Sequence, residues 1–226
     1  MSTVLVVAAH PDDEVLGCGG TIAALSRTHD VHVAILGEGA TSRAPRRDRA
    51  PKRAVARLQQ QSREAAKVLK VRSVQLAGLP DNRFDALPLL EIVKQVEAWV
   101  VRLRPEAVYT HHPGDLNVDH QLTFRAVLTA TRPQPGWRVR ELYAFEVPSS
   151  TEWAFQRLEP AFRPTVFSEI SATIEQKLRA LRCYADEVRP FPHPRSVEAL
   201  RAIAHRWGSV VGMEYAEAFE LIRLVR

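Results

Sequence analysis

Short apolar runs alternate along the chain with segments whose apolar residues recur at helical spacing. Buried strands are predicted over residues 4–9, 31–36, 73–79, 107–110 and 141–147, and a weaker strand over 215–225. Helices are predicted over residues 21–27, 55–69, 89–103, 174–185 and 197–204, with a further helix that starts at Asp119. Because strands alternate with helices, the pattern predicts an α/β fold: a three-layer α/β/α sandwich around a Rossmann-like, mostly parallel sheet.

Length and composition narrow the class of protein. The 226 residues are 46% hydrophobic, enough for one sizeable core, so we expect a single domain over residues 1–226. The N-terminal apolar run 4–9 is shorter than a membrane span of about 20 residues, and we expect a cytoplasmic protein with no stable membrane insertion. Cys18 and Cys183 stand far apart, so any metal must be held by histidines and carboxylates.

Much of the excess positive charge of the chain lies in one polar stretch. Lysine and arginine outnumber aspartate and glutamate by 31 to 26, and residues 37–52 predict a long loop. Six of the basic residues lie close together: Arg43, Arg46, Arg47, Arg49, Lys52 and Arg53. No aromatic residue there offers a base a stacking surface, so we expect no nucleic acid partner. A solvated loop and a lid that meets an anionic substrate remain alternatives.

Two polar clusters directly follow predicted strands. Residues 10–14 read His-Pro-Asp-Asp-Glu, and residues 111–120 contain three histidines and two aspartates. Ligands of open α/β sheets bind beyond the carboxyl ends of the strands. One imidazole and one carboxylate from the first cluster, with an imidazole from the second, predict a metal site with open positions for water and substrate. Such a site is suited to hydrolysis, with a neighbouring aspartate as the base.

The first cluster resembles the signature of the zinc-dependent N-deacetylases of PIG-L/LmbE type. Residues 9–20 reproduce their Ala-His-Pro-Asp-Asp-Glu motif and the glycine-rich turn after it. Further similarity lies in the pair 119–120 and the segments 192–196 and 215–219. The resemblance implies that His10, Asp13 and His120 hold one zinc ion per chain, that Asp12 is the general base, and that Arg63 and Asp81 contact substrate. It also implies a homo-oligomer. Ferrous iron and cobalt suit the same ligands.

One position departs from the family pattern. Several members carry His-x-x-His in the second motif, where this chain has Asn117. Asparagine can donate a hydrogen bond to an oxyanion but supplies no proton at pH 7. The leaving amine therefore takes its proton from Asp12 or from His111 or His112, and we also include His112 among the substrate contacts. Since neighbours along a strand point to opposite sides, only one of these two histidines is expected to face the site.

These residues predict a metal-dependent hydrolase that removes the N-acetyl group from an N-acetylglucosamine-type sugar conjugate. One alternative is an amidase that cleaves a larger glucosamine or thiol conjugate or a natural product. Another is a non-catalytic Rossmann-like module that binds a nucleotide or a nucleic acid. The glycines at 17–20 lack the GxGxxG spacing of a dinucleotide loop. Near the C-terminus, His193 and Arg195 either reach an anionic group of the substrate or form a surface turn.

Overall fold

The sheet has seven strands in the order β3-β2-β1-β4-β5-β7-β6. The computed structural model describes residues 1–44, 46 and 52–226. The strands are β1 (Thr3–Ala8), β2 (Asp30–Gly37), β3 (Ser73–Leu79), β4 (Ala107–His111), β5 (Glu141–Phe145), β6 (Val166–Glu169) and β7 (Ala216–Leu224). The helices are α1 (Asp13–Leu25), α2 (Lys52–Leu69), α3 (Leu89–Leu103), α4 (Val118–Ala130), α5 (Ile174–Cys183) and α6 (Val197–Val211).

The sheet is mostly parallel and covered on both faces. Strands β1 to β5 pair in parallel, and β7 runs antiparallel between β5 and β6. Alternate residues of β1 point to opposite cores: Val4 and Val6 pack with apolar residues of α1, α2, α5 and α6, whereas Leu5 and Val7 pack with those of α3 and α4. The three-layer α/β/α sandwich expected from the sequence is therefore confirmed.

The ends of the helices follow local sequence signals. Asn117 precedes α4, and its side-chain oxygen accepts a hydrogen bond from the backbone N–H of Asp119. Ser196 caps α6 in the same way through the N–H of Ala199. The left-handed backbone of Gly212, with φ 75°, ends α6. These caps fix the two segments, just before α4 and α6, that carry polar residues toward the carboxyl edge of the sheet.

Several elements differ from their predicted bounds. Helix α1 begins at Asp13 rather than at residue 21, because the glycine-rich segment is itself helical and breaks only near Cys18, where φ is −144°. Helix α4 begins one residue before Asp119, and α6 continues to Val211. The four-residue edge strand β6 was not predicted, since so short a run carries little periodicity.

The basic stretch lies partly outside the described residues. Strand β2 ends at Gly37, a 3-10 turn covers Thr41–Arg43, and α2 begins at Lys52. The expected lid or solvated loop includes Arg47 and Arg49, which are not among the described residues. In the described part of the chain, no helix combines the length and the apolar character needed to cross a membrane.

Candidate metal centre and active site

The loops after β1 and β4 meet because these strands are parallel neighbours in the sheet. Asp13 lies at the centre of the resulting cluster: its Oδ2 atom is 3.5 Å from Nδ1 of His10 and 3.3 Å from Nε2 of His120. One ligand atom from each of these residues lies within 4.8 Å of the other two, and all three residues are buried. The structure thus brings together the three residues expected to hold a metal ion.

Each candidate histidine has its second ring nitrogen beside a carboxylate. Nε2 of His10 is 2.9 Å from Oδ2 of Asp119, and Nδ1 of His120 is 3.2 Å from Oδ1 of Asp115. Metal-binding histidines commonly show this arrangement, because the carboxylate fixes the tautomer and the orientation of the ring. The donor set therefore fits a divalent cation.

The carboxylates make the cluster strongly attractive to positive charge. Burial alone would lower the pKa of His10, but its hydrogen bond to Asp119 and the charge of Asp13 raise that pKa to about 10. Burial likewise opposes protonation of His120, and the charges of Asp13 and Asp115 raise its pKa to about 9. Burial would raise the pKa of Asp13, but the two histidines hold it well below its usual range. A metal ion bound here would replace these protons.

His111, the last residue of β4, lies beside the candidate metal ligands. Nε2 of His111 accepts a hydrogen bond of 2.8 Å from the backbone N–H of Ala9, and its ring stacks on that of His120 at 4.0 Å. Burial and the neighbouring His120 lower the pKa of His111 well below its usual value, so its ring is neutral. His111 therefore packs against the candidate ligands, with one nitrogen already bound to the backbone.

Two of the expected substrate contacts lie away from the cavity that His10, Asp12 and Asp13 line. Nδ1 of His112 is 3.1 Å from Glu220, and its Nε2 is 2.8 Å from the carbonyl oxygen of Pro160, so both nitrogens are bound within the protein. Arg63 is exposed on α2, off the buried face that includes Leu58. Neither His112 nor Arg63 lines the cavity beside the candidate metal ligands. The alternation of side chains at the end of β4 and the helical phase of α2 account for these positions.

Asp12 lines the cavity next to the candidate metal ligands. Its backbone has an unusual conformation. Its φ of 100° is in the left-handed region that favours glycine. Its Oδ2 atom accepts a hydrogen bond of 2.9 Å from Nη1 of Arg195. Burial raises the pKa of Asp12 well above its usual range, and the positive charge of Arg195 opposes that shift. Asp12 is thus a buried carboxylate with a raised proton affinity, as suits a general base.

Arg195 is held in place by further polar groups. Its Nε donates to Oγ of Ser149 at 2.7 Å, and its Nη1 is 3.6 Å from Oε2 of Glu187. The C-terminal segment before α6 therefore reaches the cavity that Asp12 lines. The sequence offered two roles for Arg195, a contact with an anionic group of the substrate or a place in a surface turn. Its contact with Asp12 was not predicted.

Further polar side chains line the same cavity as Asp12. Asp81, an expected substrate contact, is one of them, and its Oδ2 accepts hydrogen bonds from N (3.0 Å) and Oγ (2.6 Å) of Ser42. Nδ2 of Asn117 donates to Oδ1 of Asn82 at 3.0 Å. Since Oδ1 of Asn117 accepts the bond that caps α4, the orientation of its amide is fixed, and within the described residues the second N–H of Nδ2 has no hydrogen-bond partner.

The cavity formed by these groups is small, with a volume of about 190 Å³. Drug-sized ligands occupy pockets of roughly 300–1,000 Å³. Its lining residues are mostly polar: His10, Pro11, Asp12, Asp13, Gly39, Ser42, Asp81, Asn82, Asn117, Glu187 and Arg195. The space beside the cluster therefore favours a small polar group over a bulky apolar one.

Several residues of the site were not found from the sequence. Ser42 and Asn82 lie in segments without a recognisable motif, and only the folded chain links Ser42 to Asp81 and Asn82 to Asn117. The Pro-His-Pro-Arg-Ser segment did mark the surroundings of Arg195, but its partner Asp12 is 183 residues away in the chain. Only the folded structure could supply that pairing.

A family model and known proteins match this chain. The model of the PIG-L family, described as GlcNAc-PI de-N-acetylase, matches residues 5–131. The diacetylchitobiose deacetylase of Thermococcus kodakarensis is 28% identical over 229 residues, which cover 97% of this chain and 82% of that protein.

Solved structures share the whole fold. The conserved protein TT1542 of Thermus thermophilus is similar with a TM-score of 0.77 and 28% identity, covering 100% of this chain and 97% of that one. The 4-carboxy-2-hydroxymuconate hydratase of Pseudomonas putida has a TM-score of 0.78 at 23% identity, covering 100% and 99%. Since a hydratase has the same fold, the chemistry must be argued from the site.

Proposed function

The chain belongs to the PIG-L family, whose model covers more than half of its residues, and from this membership we propose that it is a zinc-dependent N-deacetylase of an N-acetylglucosamine-type sugar conjugate. The observation that carries the proposal is the buried cluster of His10, Asp13 and His120, of which His10 and Asp13 line one cavity together with Asp12. Deacetylase activity agrees with the family. Zinc and the sugar substrate are the finer parts of the proposal.

A divalent ion held by His10, Asp13 and His120 would polarise the amide carbonyl and lower the pKa of a bound water. Asp12 takes the proton of the attacking water on its carboxylate. The N–H of Asn117 that is not bonded to Asn82 donates to the carbonyl oxygen as it becomes negative. The proton held by Asp12 then passes to the leaving amine nitrogen, because Asn117 has no acidic proton to give. The products are acetate and a free amino sugar.

Arg195 keeps Asp12 oriented during these steps. Its guanidinium is bound to Asp12 at 2.9 Å and is anchored by Ser149. The positive charge favours the ionised form of Asp12, which must be regained for the next turnover. Arg195 thus balances the burial that raises the proton affinity of the base.

The lining of the cavity favours a polar substrate over a large apolar acyl group. The cavity of about 190 Å³ beside the cluster is lined mostly by polar residues, which suits the hydroxyl groups of an N-acetylated sugar. The nucleotide-binding alternative is disfavoured by the glycines. A Cβ on Gly17 would lie 2.3 Å from the ring of Phe145, and one on Gly20 would lie 2.7 Å from Ile170. These glycines are therefore packed against the core and leave no open phosphate loop.

The proposal also includes the domain organisation of the chain, its cellular location and its assembly. One deacetylase domain over residues 1–226 is supported by the C-terminal elements, since β7 joins the same sheet and Arg195 reaches the same cavity as the matched region. We further propose a cytoplasmic homo-oligomer that acts on an amino sugar and binds no nucleic acid. Cell fractionation and sedimentation of the purified protein test location and assembly.

Acetate release and metal content together test the function. The purified protein is stripped with a chelator, reloaded with zinc, ferrous iron or cobalt, and assayed on N-acetylglucosamine, diacetylchitobiose and N-acetylglucosaminyl conjugates. We expect one metal ion per chain, no activity in the stripped protein and recovery with zinc. A protein that binds no divalent ion, or that releases acetate equally well after stripping, would contradict the proposal.

A further inference from the structure

Helix α1 is broken between the residues of the active site and the rest of the helix. Cys18 has φ −144° and ψ 24°, far from helical values. Asp13 lies in the turn before the break, while Gly20 and Thr21 begin the turn after it. A break inside a helix exposes N–H and C=O groups that the helix would otherwise satisfy. The orientation of the first turn is therefore not fixed by helical hydrogen bonds alone.

A buried ion pair occupies this break. Glu217 of β7 accepts hydrogen bonds from the backbone N–H groups of Gly20 (2.9 Å) and Thr21 (2.7 Å). Lys177 of α5 donates to the carbonyl oxygen of Leu16 at 2.9 Å and to Glu217 at 2.5 Å. The side chains of Lys177 and Glu217 are 5% and 4% exposed. Glu217 thus caps the second half of α1, and Lys177 caps the first half.

The pair is an unusual choice for a core. Removing two charges from water is costly, and apolar residues of similar volume often give equal or greater stability. Each charge here also bonds to backbone groups of the broken helix, Glu217 to two N–H groups after the break and Lys177 to one carbonyl oxygen before it. The contacts span α1, α5 and β7, which no local helix signal connects. Such an arrangement fixes a geometry more than it adds stability.

We propose that Lys177 and Glu217 are positioning residues for Asp13. By holding Leu16 on one side of the break and Gly20 on the other, they set the direction of the first turn of α1. That turn carries Asp13, whose Oδ2 lies 3.5 Å from His10 and 3.3 Å from His120. The inference rests on the proposed function only in that a bound metal ion is one of its two readouts.

The test replaces both charges together, so that neither is left unpaired in the core. In the full-length double variant Lys177→Met/Glu217→Gln, the glutamine oxygen still accepts from one backbone N–H. The matched control is Glu175→Gln/Arg201→Met, which removes the exposed ion pair of 2.6 Å between α5 and α6. Zinc affinity is measured by competition with a chromogenic chelator, and hydrogen exchange is measured for the amides of residues 13–17. Circular dichroism establishes that each variant is folded.

In the double variant we expect zinc to bind about 10–100-fold more weakly, the range seen when groups that orient metal ligands are removed. Amides of residues 13–17 should exchange at least about tenfold faster, while those of α3 exchange as in the native chain. The control variant should match the native chain in both readouts. Zinc affinity and exchange equal to the control in a folded double variant would overturn the inference.

A second variant keeps the test decisive if the double variant does not fold. The second variant, Lys177→Gln/Glu217→Gln, also leaves no buried charge unpaired, and it keeps a neutral hydrogen-bonding amide on each side of the break. We expect smaller shifts in the same directions. The readouts also separate the two proposals. A native chain that binds no zinc contradicts the proposed function, while the exchange of residues 13–17 still decides the positioning role. Zinc binding that is strong and equal in both chains contradicts the positioning role alone.

Discussion

The N-terminal and C-terminal parts of the chain contribute different groups to the same site. The candidate ligands His10, Asp13 and His120 lie within residues 5–131, in the loops and first helical turns that follow two parallel strands. The C-terminal part supplies groups that hold the neighbouring acidic residues in place. Arg195 binds Asp12 across 183 residues of sequence, and Tyr184 binds Glu14 across 170. The candidate reacting groups are thus clustered in short motifs, whereas the partners of Asp12 and Glu14 come from a distant part of the chain.

This difference predicts two classes of variant. Changes in the N-terminal motifs should abolish metal binding or the chemical step, because in the proposed mechanism these side chains contact the metal ion or the reacting atoms. Changes in the C-terminal supports should weaken the reaction or the fold by smaller factors, because the supported groups remain present and become less well oriented. Large losses from the supports with small losses from the motifs would reverse the account.

The largest effect is expected for His120→Ala. Loss of one of three ligands should release the metal ion and lower kcat/KM by about four orders of magnitude or more, as when a group that the reaction depends on is removed. The control is His112→Gln, in the same segment of the chain. The ring nitrogens of the native His112 contact Glu220 and Pro160. Elemental analysis and acetate release should show metal and most activity retained in the control. Equal losses in both variants would contradict the assignment of ligands.

Asp12→Asn is expected to lower kcat by about 10²–10⁴-fold, the usual contribution of a general base. Metal content should stay at the native level, because Asp13 and the two histidines are unchanged. Asp30→Asn removes a partly exposed carboxylate at the start of β2 and serves as the control. Loss of the metal ion in the Asp12 variant would instead make this residue a ligand.

Arg195→Met is expected to lower kcat by about 10–100-fold with metal retained. Because the effect acts through Asp12, the same substitution in an Asp12→Asn background should cost less than about threefold more. A double-mutant cycle on kcat measures this coupling. Independent, multiplicative losses would show that Arg195 contacts the substrate directly, which was one of the alternatives from the sequence.

Tyr184→Phe should give the smallest effect. The hydroxyl of Tyr184 donates to Oε1 of Glu14 at 2.5 Å in a fully buried environment, and its loss leaves a buried acceptor without that partner. Urea unfolding should show a loss of about 1–2 kcal/mol, with kcat within a factor of about three. Tyr143→Phe removes a similar bond to Glu141 at a half-buried position and should cost less. A larger loss for Tyr143 would reverse the expected order.

Much of the fold follows from local sequence because strand and helix signals alternate strongly. The run 4–9 predicts a central strand, and Asn117 and Ser196 are ordinary helix caps. Strand β6 was missed because four residues carry too little pattern. The break in α1 at Cys18 was also not predicted, because the side chains that bond to the backbone at the break come from α5 and β7.

The site was predictable to the extent that its chemistry is local. The His-Pro-Asp-Asp-Glu run places a base and two candidate ligands within four residues, next to a strand end. Asn82 and Arg195 could not be assigned in this way, since their contacts depend on loops that meet only in the folded chain. The expectation for Arg63 rested on local similarity within a helix, and the structure places that residue on an exposed face of α2.

The central claim is that His10, Asp13 and His120 hold a catalytic metal ion. X-ray absorption at the zinc edge on the reconstituted protein tests it most directly. The account predicts one zinc ion per chain with two imidazole nitrogens at roughly 2.0–2.1 Å, oxygen ligands in the remaining positions and no sulfur. In His120→Ala any residual zinc should show a single imidazole. Sulfur ligation, or an imidazole count that is unchanged in His120→Ala, would contradict the account.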